Sequence, residues 1–153
     1  MSVIIGIDPG LLSGAIGVID IHGYRFCGSI KSVDGRVDAT DLKNTLKQAV
    51  DASESADIVI ESVFGMPGQG ITSTSKFMRA VGAIEAVCEL TRYPVHFVSP
   101  QKWKKHFGLI KCDKNASLDI ARKLYPEAPL SKKKDHNKAE ALLLARYLFE
   151  MNI

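Results

Sequence analysis

The stretch VIIGIDPGLLSGAIGVIDI, residues 3–21, holds two apolar runs separated by an Asp-Pro-Gly turn and a further glycine. β-Branched residues favour strands, and a Pro-Gly pair after an apolar run is a turn signal. We therefore predict a first strand over Val3–Ile7 and a second over Ala15–Ile21. Asp8, at the exit of the first strand, is a candidate functional side chain, although an aspartate in Asp-Pro-Gly also has a simple role in the turn.

The rest of the chain alternates between strand and helix patterns. A tight turn leads from the second strand to a third, which favours an antiparallel meander. Helical spacing of apolar residues then alternates with continuous apolar runs, which are typical of strands covered on both faces. We predict a strand over Tyr24–Ser32, a helix over Thr40–Ala52, a strand over Asp57–Ser62, a loop over Phe64–Ile71, a helix over Ser73–Leu90, a strand over Val95–Val98, and helices over Gln101–His106, Ala116–Leu124 and Asn137–Met151.

This order of elements predicts an α/β fold. Three antiparallel strands followed by helix-linked parallel strands give a five-stranded mixed sheet with helices on both faces. The same order is found in the RNase H-like fold. A chain of 153 residues fits one domain over residues 1–153, because two halves would each have a marginal core.

The composition excludes several classes of protein. The chain is 46% apolar and 24% charged, as in ordinary soluble proteins, and no apolar run approaches the ~20 residues of a membrane span. Its three cysteines form no Cys-x-x-Cys pair, which argues against a zinc site or a disulfide framework. We predict a cytoplasmic protein with no membrane partner.

The charge is unevenly distributed. Residues 1–100 carry 8 Lys and Arg against 11 Asp and Glu, for a net charge of −3, whereas residues 101–153 carry 12 against 6, for a net charge of +6. A basic segment of this kind suits a polyanionic partner such as nucleic acid. A solvated basic surface explains the charge equally well, so the charge alone does not decide the function.

Three carboxylates follow or lie on elements that are expected to be buried. Asp8 ends the first strand, Glu61 ends the strand DIVIE, and Glu140 lies on the last helix. Each alone could serve a cap, a turn or a salt bridge. Together they suggest a cluster of oxygen ligands of the type that holds Mg²⁺, and two such ions can activate water for phosphodiester hydrolysis.

Three stretches carry a family resemblance. IIGIDPGLLSGAIGVID, DIVIESVFGMPGQG and NKAEALLLARY resemble, in order and spacing, the motifs of the RuvC family of Holliday-junction resolvases, especially its compact phage members. The resemblance spans residues 3–149. It implies an endonuclease that uses Mg²⁺, with Mn²⁺ as a substitute, and that resolves four-way DNA junctions by paired symmetric nicks as a homodimer. Asp8, Glu61 and Glu140 match catalytic acids of the family.

The chain departs from the family at position 137. The family carries an acid or a histidine three residues before the acid that Glu140 matches, and this chain has Asn137. An asparagine carbonyl ligates a hard cation less strongly than a carboxylate does. Asp135, His136 and Asn137 are the alternatives for the fourth ligand. Charge slightly favours Asp135 as a catalytic and metal-binding residue, although helix capping is a common role for such an aspartate.

The resemblance also implies DNA contacts. Phe64 matches an aromatic residue that inserts at the junction, and Lys104 and Lys114 lie near family lysines that contact phosphates. Trp103 is expected to pack in the core. Further candidates for DNA contacts, each of which could equally be solvated surface, are Lys76, Lys102, Lys105, Lys111 and Lys134.

Other functions remain open. An RNase H-like nuclease could act on flap DNA or RNA–DNA hybrids, and a chain weakened at Asn137 could bind junctions without cutting them. The opening motif also resembles that of the actin and sugar-kinase superfamily. Those enzymes need a second related domain and a second glycine-rich motif, which this chain lacks.

Overall fold

The computed structural model describes residues 2–64 and 68–151. Strands and helices lie close to their predicted positions. The strands are β1 (Ser2–Asp8), β2 (Ala15–Asp20), β3 (Gly23–Ser29), β4 (Ser32–Val33), β5 (Arg36–Val37), β6 (Ser55–Glu61) and β7 (Val95–Val98). The helices are α1 (Ala39–Gln48), α2 (Ile71–Leu90), α3 (Pro100–His106), α4 (Lys114–Leu124) and α5 (His136–Glu150), with a short 3-10 helix over Lys133–Asp135.

The main sheet has five strands in the order β3-β2-β1-β6-β7. Strand β2 pairs antiparallel with both β1 and β3. Strand β6 runs parallel to both β1 and β7. The predicted mixed sheet is therefore confirmed. Because β1, β6 and β7 are parallel, their carboxyl ends meet at one edge of the sheet.

Helices cover both faces of the sheet, as predicted. On β1, Ile5 and Ile7 belong to a core that also contains buried residues of α1 and α2. The intervening Ile4 belongs to the opposite core, with Val59 of β6 and residues of α4 and α5. This is the alternation of side chains expected of a strand buried on both sides.

Helix α5 lies directly on the backbone of the sheet. A Cβ atom on Gly17 would lie 2.5 Å from the backbone nitrogen of Leu142, and one on Gly6 would collide with the carbonyl oxygen of Ala141. Only glycine at these two strand positions allows so close an approach. The helix that carries Glu140 is thereby held against β1 and β2 without an intervening layer of side chains.

The region after β3 differs from the prediction. The predicted strand Tyr24–Ser32 ends at Ser29, and a separate two-stranded hairpin, β4–β5, follows it. Asp34 and Gly35 form its turn with φ values of 52° and 76°. An Asp-Gly pair with two positive φ angles is the common two-residue hairpin turn, a signal that the strand prediction overlooked.

Some helix bounds also differ, because caps decide where helices begin. Asp113 accepts hydrogen bonds from the backbone N–H groups of Asn115 and Ala116. Helix α4 therefore begins at Lys114, two residues before its predicted start. The predicted loop over Phe64–Ile71 lies partly outside the described residues. Over residues 2–64 and 68–151, the structure contains no helix that combines the length and apolar character needed to cross a membrane.

Candidate functional site

Asp8 and Glu61 end two neighbouring parallel strands. The pairing of β1 with β6 runs as far as Ile7 opposite Ile60, so the two acids come next on adjacent strands. They also share a face of the sheet. Since side chains alternate along a strand, Asp8 lies on the side of Ile4 and Glu61 on the side of Val59, and this side is covered by α5. The register thus places both carboxylates beneath the helix that bears Glu140.

The three carboxylates lie close enough to affect one another. Burial raises the pKa of Asp8 well above its usual value, and the charges of Glu61 and Glu140 raise it further. Burial also raises the pKa of Glu61, again with a contribution from Glu140. Like charges gathered in a partly buried place destabilise one another unless a cation compensates them. Glu61 and Glu140 are thus near enough to Asp8 to act on its pKa, and the role of the three acids as ligands stays a prediction.

Trp103 holds the Glu61 carboxylate in place. Its indole N–H donates a 2.7 Å hydrogen bond to Oε2 of Glu61. The Trp103 side chain is fully buried, which confirms the expected core position. The hydrogen bond partly offsets the effect of burial on the Glu61 pKa. Trp103 therefore fixes the orientation of a candidate ligand as well as filling the core.

Glu140 also has a partner outside the acidic group. The hydroxyl of Ser117, buried on α4, donates a long hydrogen bond of 3.5 Å to Oε2 of Glu140. Sequence reasoning identified neither Ser117 nor the hydrogen-bonding role of Trp103. A buried tryptophan usually needs a partner for its N–H, but the sequence does not say which acceptor it finds.

Two of the predicted lysines lie near the acids. Lys104 and Lys114 both lower the pKa of Asp8, and Lys104 also lowers that of Glu61. The Nζ atom of Lys104 lies 5.6 Å from the centroid of the Trp103 ring. Lys114 is the first residue of α4. These cations border the acidic group without neutralising it, because burial and the neighbouring acids still raise the pKa of Asp8.

The structure does not bring Asp135 into the acidic group. Its side chain is buried and accepts a 2.9 Å hydrogen bond from the backbone N–H of Lys132. Lys138 lies 3.5 Å from its other oxygen. Although burial opposes ionisation, these contacts and the charge of Lys134 lower the pKa of Asp135. Asp135 thus bonds back to the start of the 3-10 helix. Within the part of the chain that the structure describes, its side chain makes no capping hydrogen bond to α5, which is the alternative role that its position suggested.

Asn137 and His136 occupy different positions at the start of α5. Asn137 is half-buried and precedes Glu140 by three residues, so the two share a helix face. Over residues 2–64 and 68–151, the side chain of Asn137 has no hydrogen-bond partner. The Nδ1 atom of His136 instead lies 3.2 Å from the carbonyl oxygen of Lys133. Asp135 and His136 both contact nearby backbone. The side chain of Asn137 makes no such contact within the described residues, so it remains available as a ligand.

The acids are grouped but do not form a closed ligand cage. Within the described residues, no three Asp, Glu, His or Cys side chains converge closely enough to ligate a single ion. The donor set itself, carboxylates with one amide, suits a hard cation such as Mg²⁺, which keeps several waters and needs only one or two carboxylates.

The remaining predicted DNA contacts lie on the surface. Phe64 is 77% exposed. The lysines are also exposed but are not gathered in one place: Lys102 and Lys105 lie on α3, Lys111 lies in the turn before α4, Lys134 lies in the 3-10 helix, and Lys76 lies on α2 beside a cavity next to the β4–β5 hairpin. Their contacts with DNA stay predictions.

A scan of protein-family models and a search of curated protein sequences both find no match to this chain. Solved structures do match. The structure of Thermus thermophilus RuvC in complex with a Holliday junction substrate superposes with a TM-score of 0.72 at 16% identity, covering 97% of this chain and 96% of that one. A second T. thermophilus RuvC structure gives 0.70 at 19% identity, with coverages of 98% and 96%.

The chain has a RuvC-like fold. The likeness extends over nearly the full length of both proteins, so it includes every element that carries a candidate residue. It confirms the RuvC-like, RNase H-like sheet expected from the sequence. At these identities the comparison with RuvC establishes the fold, whereas the roles of the side chains depend on the geometry described above.

Proposed function

We propose that this protein is a metal-dependent endonuclease that resolves four-way DNA junctions by paired symmetric nicks. The observation that carries the proposal is the position of Asp8, Glu61 and Glu140 at the carboxyl edge of a RuvC-like sheet, where the charges of Glu61 and Glu140 raise the pKa of Asp8 and the charge of Glu140 raises the pKa of Glu61. Ligand and active sites in open α/β sheets commonly lie at this edge. The RuvC structure in complex with a Holliday junction substrate provides the substrate hypothesis.

We propose that Asp8, Glu61 and Glu140 hold Mg²⁺ or Mn²⁺. Asn137 is favoured over Asp135 as the further ligand, because the Asp135 carboxylate is already engaged. Divalent ions in such a site supply a way to activate water and to balance charge on the reacting phosphate. The chain contributes the orientation of the ligands, above all through the hydrogen bond from Trp103 to Glu61.

Lysines beside the acids are proposed to bind the phosphate that reacts. Lys104 and Lys114 lie near enough to Asp8 to lower its pKa. A cation in this position stabilises the negative charge that develops on the phosphate oxygens in the transition state. The exposed lysines of α3 and the segment beyond it would hold the phosphates of the junction arms without reading their bases.

A homodimer fits this substrate. Two symmetric scissile phosphates require two active sites related by a two-fold axis. On α2, Ile71 and Met78 are exposed apolar residues, 87% and 38% accessible, and they suit contact with a second copy. Sedimentation equilibrium would test this expectation directly, with a monomer at micromolar concentration counting against it.

The decisive experiment compares substrates. A labelled synthetic four-way junction, a linear duplex, a flap and an RNA–DNA hybrid are incubated separately with the protein and Mg²⁺. We expect paired symmetric nicks in the junction alone, and their loss when EDTA is added. Faster cleavage of the flap or the hybrid would reassign the substrate. Tight junction binding without cleavage of any substrate would identify a binding module instead.

A further inference from the structure

A cavity of about 490 Å³ lies beside the candidate active site. It opens at the carboxyl ends of β6 and β7, between the residues that follow Glu61 and the start of α3. Its lining includes Ser62, Phe64, Phe77, Pro100 and Gln101. The volume is within the range of pockets that bind small aromatic ligands, roughly 300–1,000 Å³.

The lining suits a nucleobase better than a phosphate. Two phenylalanine rings and a proline provide flat apolar surfaces, and none of the described residues that line the cavity carries a charge. This contrasts with the acids and lysines next to it. Aromatic rings stack on any base, because every base has a π-face. A phosphate group, in contrast, would require cations or N–H donors that converge on it.

Gln101 gives the cavity a group that can distinguish bases. Its side chain is exposed at the second position of α3. A glutamine amide carries both a donor and an acceptor, the combination that pairs with the polar edge of a base. The hydroxyl of Ser99, in contrast, accepts a hydrogen bond from the backbone N–H of Lys102 as the cap of α3.

The position of the cavity couples it to the chemistry. Ser62 lines the cavity and directly follows Glu61. Helix α3 contributes Gln101 to the cavity and, two residues later, Trp103 to Glu61. Because consecutive side chains of an extended segment point to opposite faces, a base in the cavity would lie across the strand end from the Glu61 carboxylate, and the backbone of its nucleotide would cross the edge that carries the acids.

We infer that this cavity receives one base extruded from the junction crossover, stacked by Phe64 and Phe77 and read by Gln101. The inference rests on the proposed function and deepens it, because it assigns cleavage-site preference to Phe77 and Gln101. Extrusion costs least where base pairing is already interrupted, as it is at a crossover. The cleavage rate then depends on which base occupies the nucleotide beside the nicked phosphate.

The test uses four junctions that differ only in the base pair beside the scissile phosphate, together with a fifth that has an abasic nucleotide there. Single-turnover cleavage by the wild-type protein is expected to differ by about tenfold between the best and the worst base, in keeping with the energy of base stacking and pairing. Q101A should reduce this difference to within about twofold. F77L keeps an apolar side chain and should slow the best junction about tenfold while leaving the abasic junction unaffected.

A binding readout separates this inference from the chemistry. With 2-aminopurine at the crossover and no divalent ion, wild-type protein should raise its fluorescence as the base leaves the stack, and F77L should not. F26L is the matched control, because Phe26 lies on β3 at the other edge of the sheet and is 40% exposed; it should behave as wild type in both assays.

Each result decides between the two claims. Three results would overturn the claim that the cavity binds a base while leaving the proposed junction cleavage in place. They are equal cleavage rates whatever the base, a base preference unchanged in Q101A and F77L, and no rise in fluorescence with wild-type protein. Failure of the wild-type protein to cut any junction, with a flap or hybrid cut instead, would overturn the proposed function and the inference with it.

Discussion

Burial and repulsion from neighbouring acids both raise the pKa of Asp8. It ends β1 beneath α5, and both Glu61 and Glu140 disfavour its ionised form. A carboxylate in such surroundings has no structural advantage over a neutral amide of the same shape. Under the proposed function its value lies in the ion that it would hold, which makes it an informative residue to change.

We expect D8N to abolish junction cleavage while junction binding is kept or strengthened. Loss of a ligand should lower the nicking rate on the order of a thousandfold or more. Removal of a negative charge that repels DNA phosphates should leave binding intact when no metal is present. Gel-shift and nicking assays on the same junction measure the two effects. D119N, at an exposed aspartate of α4, is the control, and parallel loss of binding and cleavage in D8N would contradict the assignment.

Trp103 acts on the site through Glu61. We expect W103F to keep the buried ring but to lose the 2.7 Å hydrogen bond to Oε2 of Glu61. Groups that orient a metal ligand typically contribute 10–100-fold in metal affinity or activity. The Mg²⁺ concentration for half-maximal cleavage should therefore rise about tenfold, with partial recovery at high Mg²⁺. An unchanged Mg²⁺ dependence, in a variant that unfolds at the wild-type temperature, would assign Trp103 to packing alone.

The sequence predicted some of these side chains and not others. Asp8 and Glu61 could be predicted as site residues because each directly follows an apolar strand pattern, and parallel strands bring their carboxyl ends together. The contact between Trp103 and Glu61 could not be predicted, since 42 residues separate the two and only the packing of α3 brings them into contact. Asp135 was predicted as a metal ligand because of its charge. The 3-10 helix instead brings the backbone N–H of Lys132 to its carboxylate, and no sequence pattern indicated this hydrogen bond.

At the scale of elements, α5 approaches the backbone of β1 and β2 directly. Both Gly6 and Gly17 lie under the backbone of α5, at distances that leave no room for a methyl group. Overfilling a packed interior costs typically 1–3 kcal/mol, and here the clash is with backbone that cannot rotate away.

We expect G17A to lower the free energy of unfolding by about 3 kcal/mol, because its Cβ would displace α5. G82A is the matched control. An added Cβ on Gly82, in the exposed part of α2, meets nothing within 4 Å, so this variant should gain about 0.5–1 kcal/mol from helix propensity. Urea unfolding at one protein concentration compares the two. Equal stabilities would show that α5 adapts to the methyl group.

Element order was predictable from periodicity, but element ends were less so. The β4–β5 hairpin is short and partly polar, so no element was predicted between the third strand, which was expected to end at Ser32, and the helix expected from Thr40. The Asp34-Gly35 turn was the signal that would have identified the hairpin. The close packing of α5 against the sheet could not be predicted from the sequence either, because a glycine within a strand can mark a bulge, a bend or a close approach of another backbone.

At the scale of the whole molecule, the basic residues are concentrated in the last 53 positions, where the net charge is +6. These positions form α3, α4, the 3-10 helix and α5, and α3, α4 and α5 contribute the residues that contact or lie near the acids. The fold itself was predictable because its signal is spread over the order of all the elements, and it is retained at 16–19% identity to RuvC structures. The substrate has no comparable signal, since substrate selection would depend on surface loops and, under the proposed function, on a second copy of the chain.

We expect junction binding to weaken steeply with salt, because lysine–phosphate contacts release counterions. K105A, at an exposed lysine of α3, should reduce the slope of log affinity against log salt by about one. K47A is the control, because Lys47 lies on α1 beside the last turn of α2, away from the acids. Binding by fluorescence anisotropy over a series of salt concentrations measures the slope for the wild-type protein, K105A and K47A. Equal slopes for all three proteins would place the DNA elsewhere.

The direct seating of α5 on two strand glycines also bears on how such a protein can change over generations. In most cores, side chains act as spacers, so each substitution alters the separation of the elements they keep apart. Here, at Gly6, the strand that bears Asp8 meets the helix that bears Glu140 backbone to backbone, so no side chain sets the separation of the two elements at that point. Replacements elsewhere in the apolar interior can then accumulate without moving the two acids relative to each other, so the sequence is free to diverge while the site keeps its dimensions.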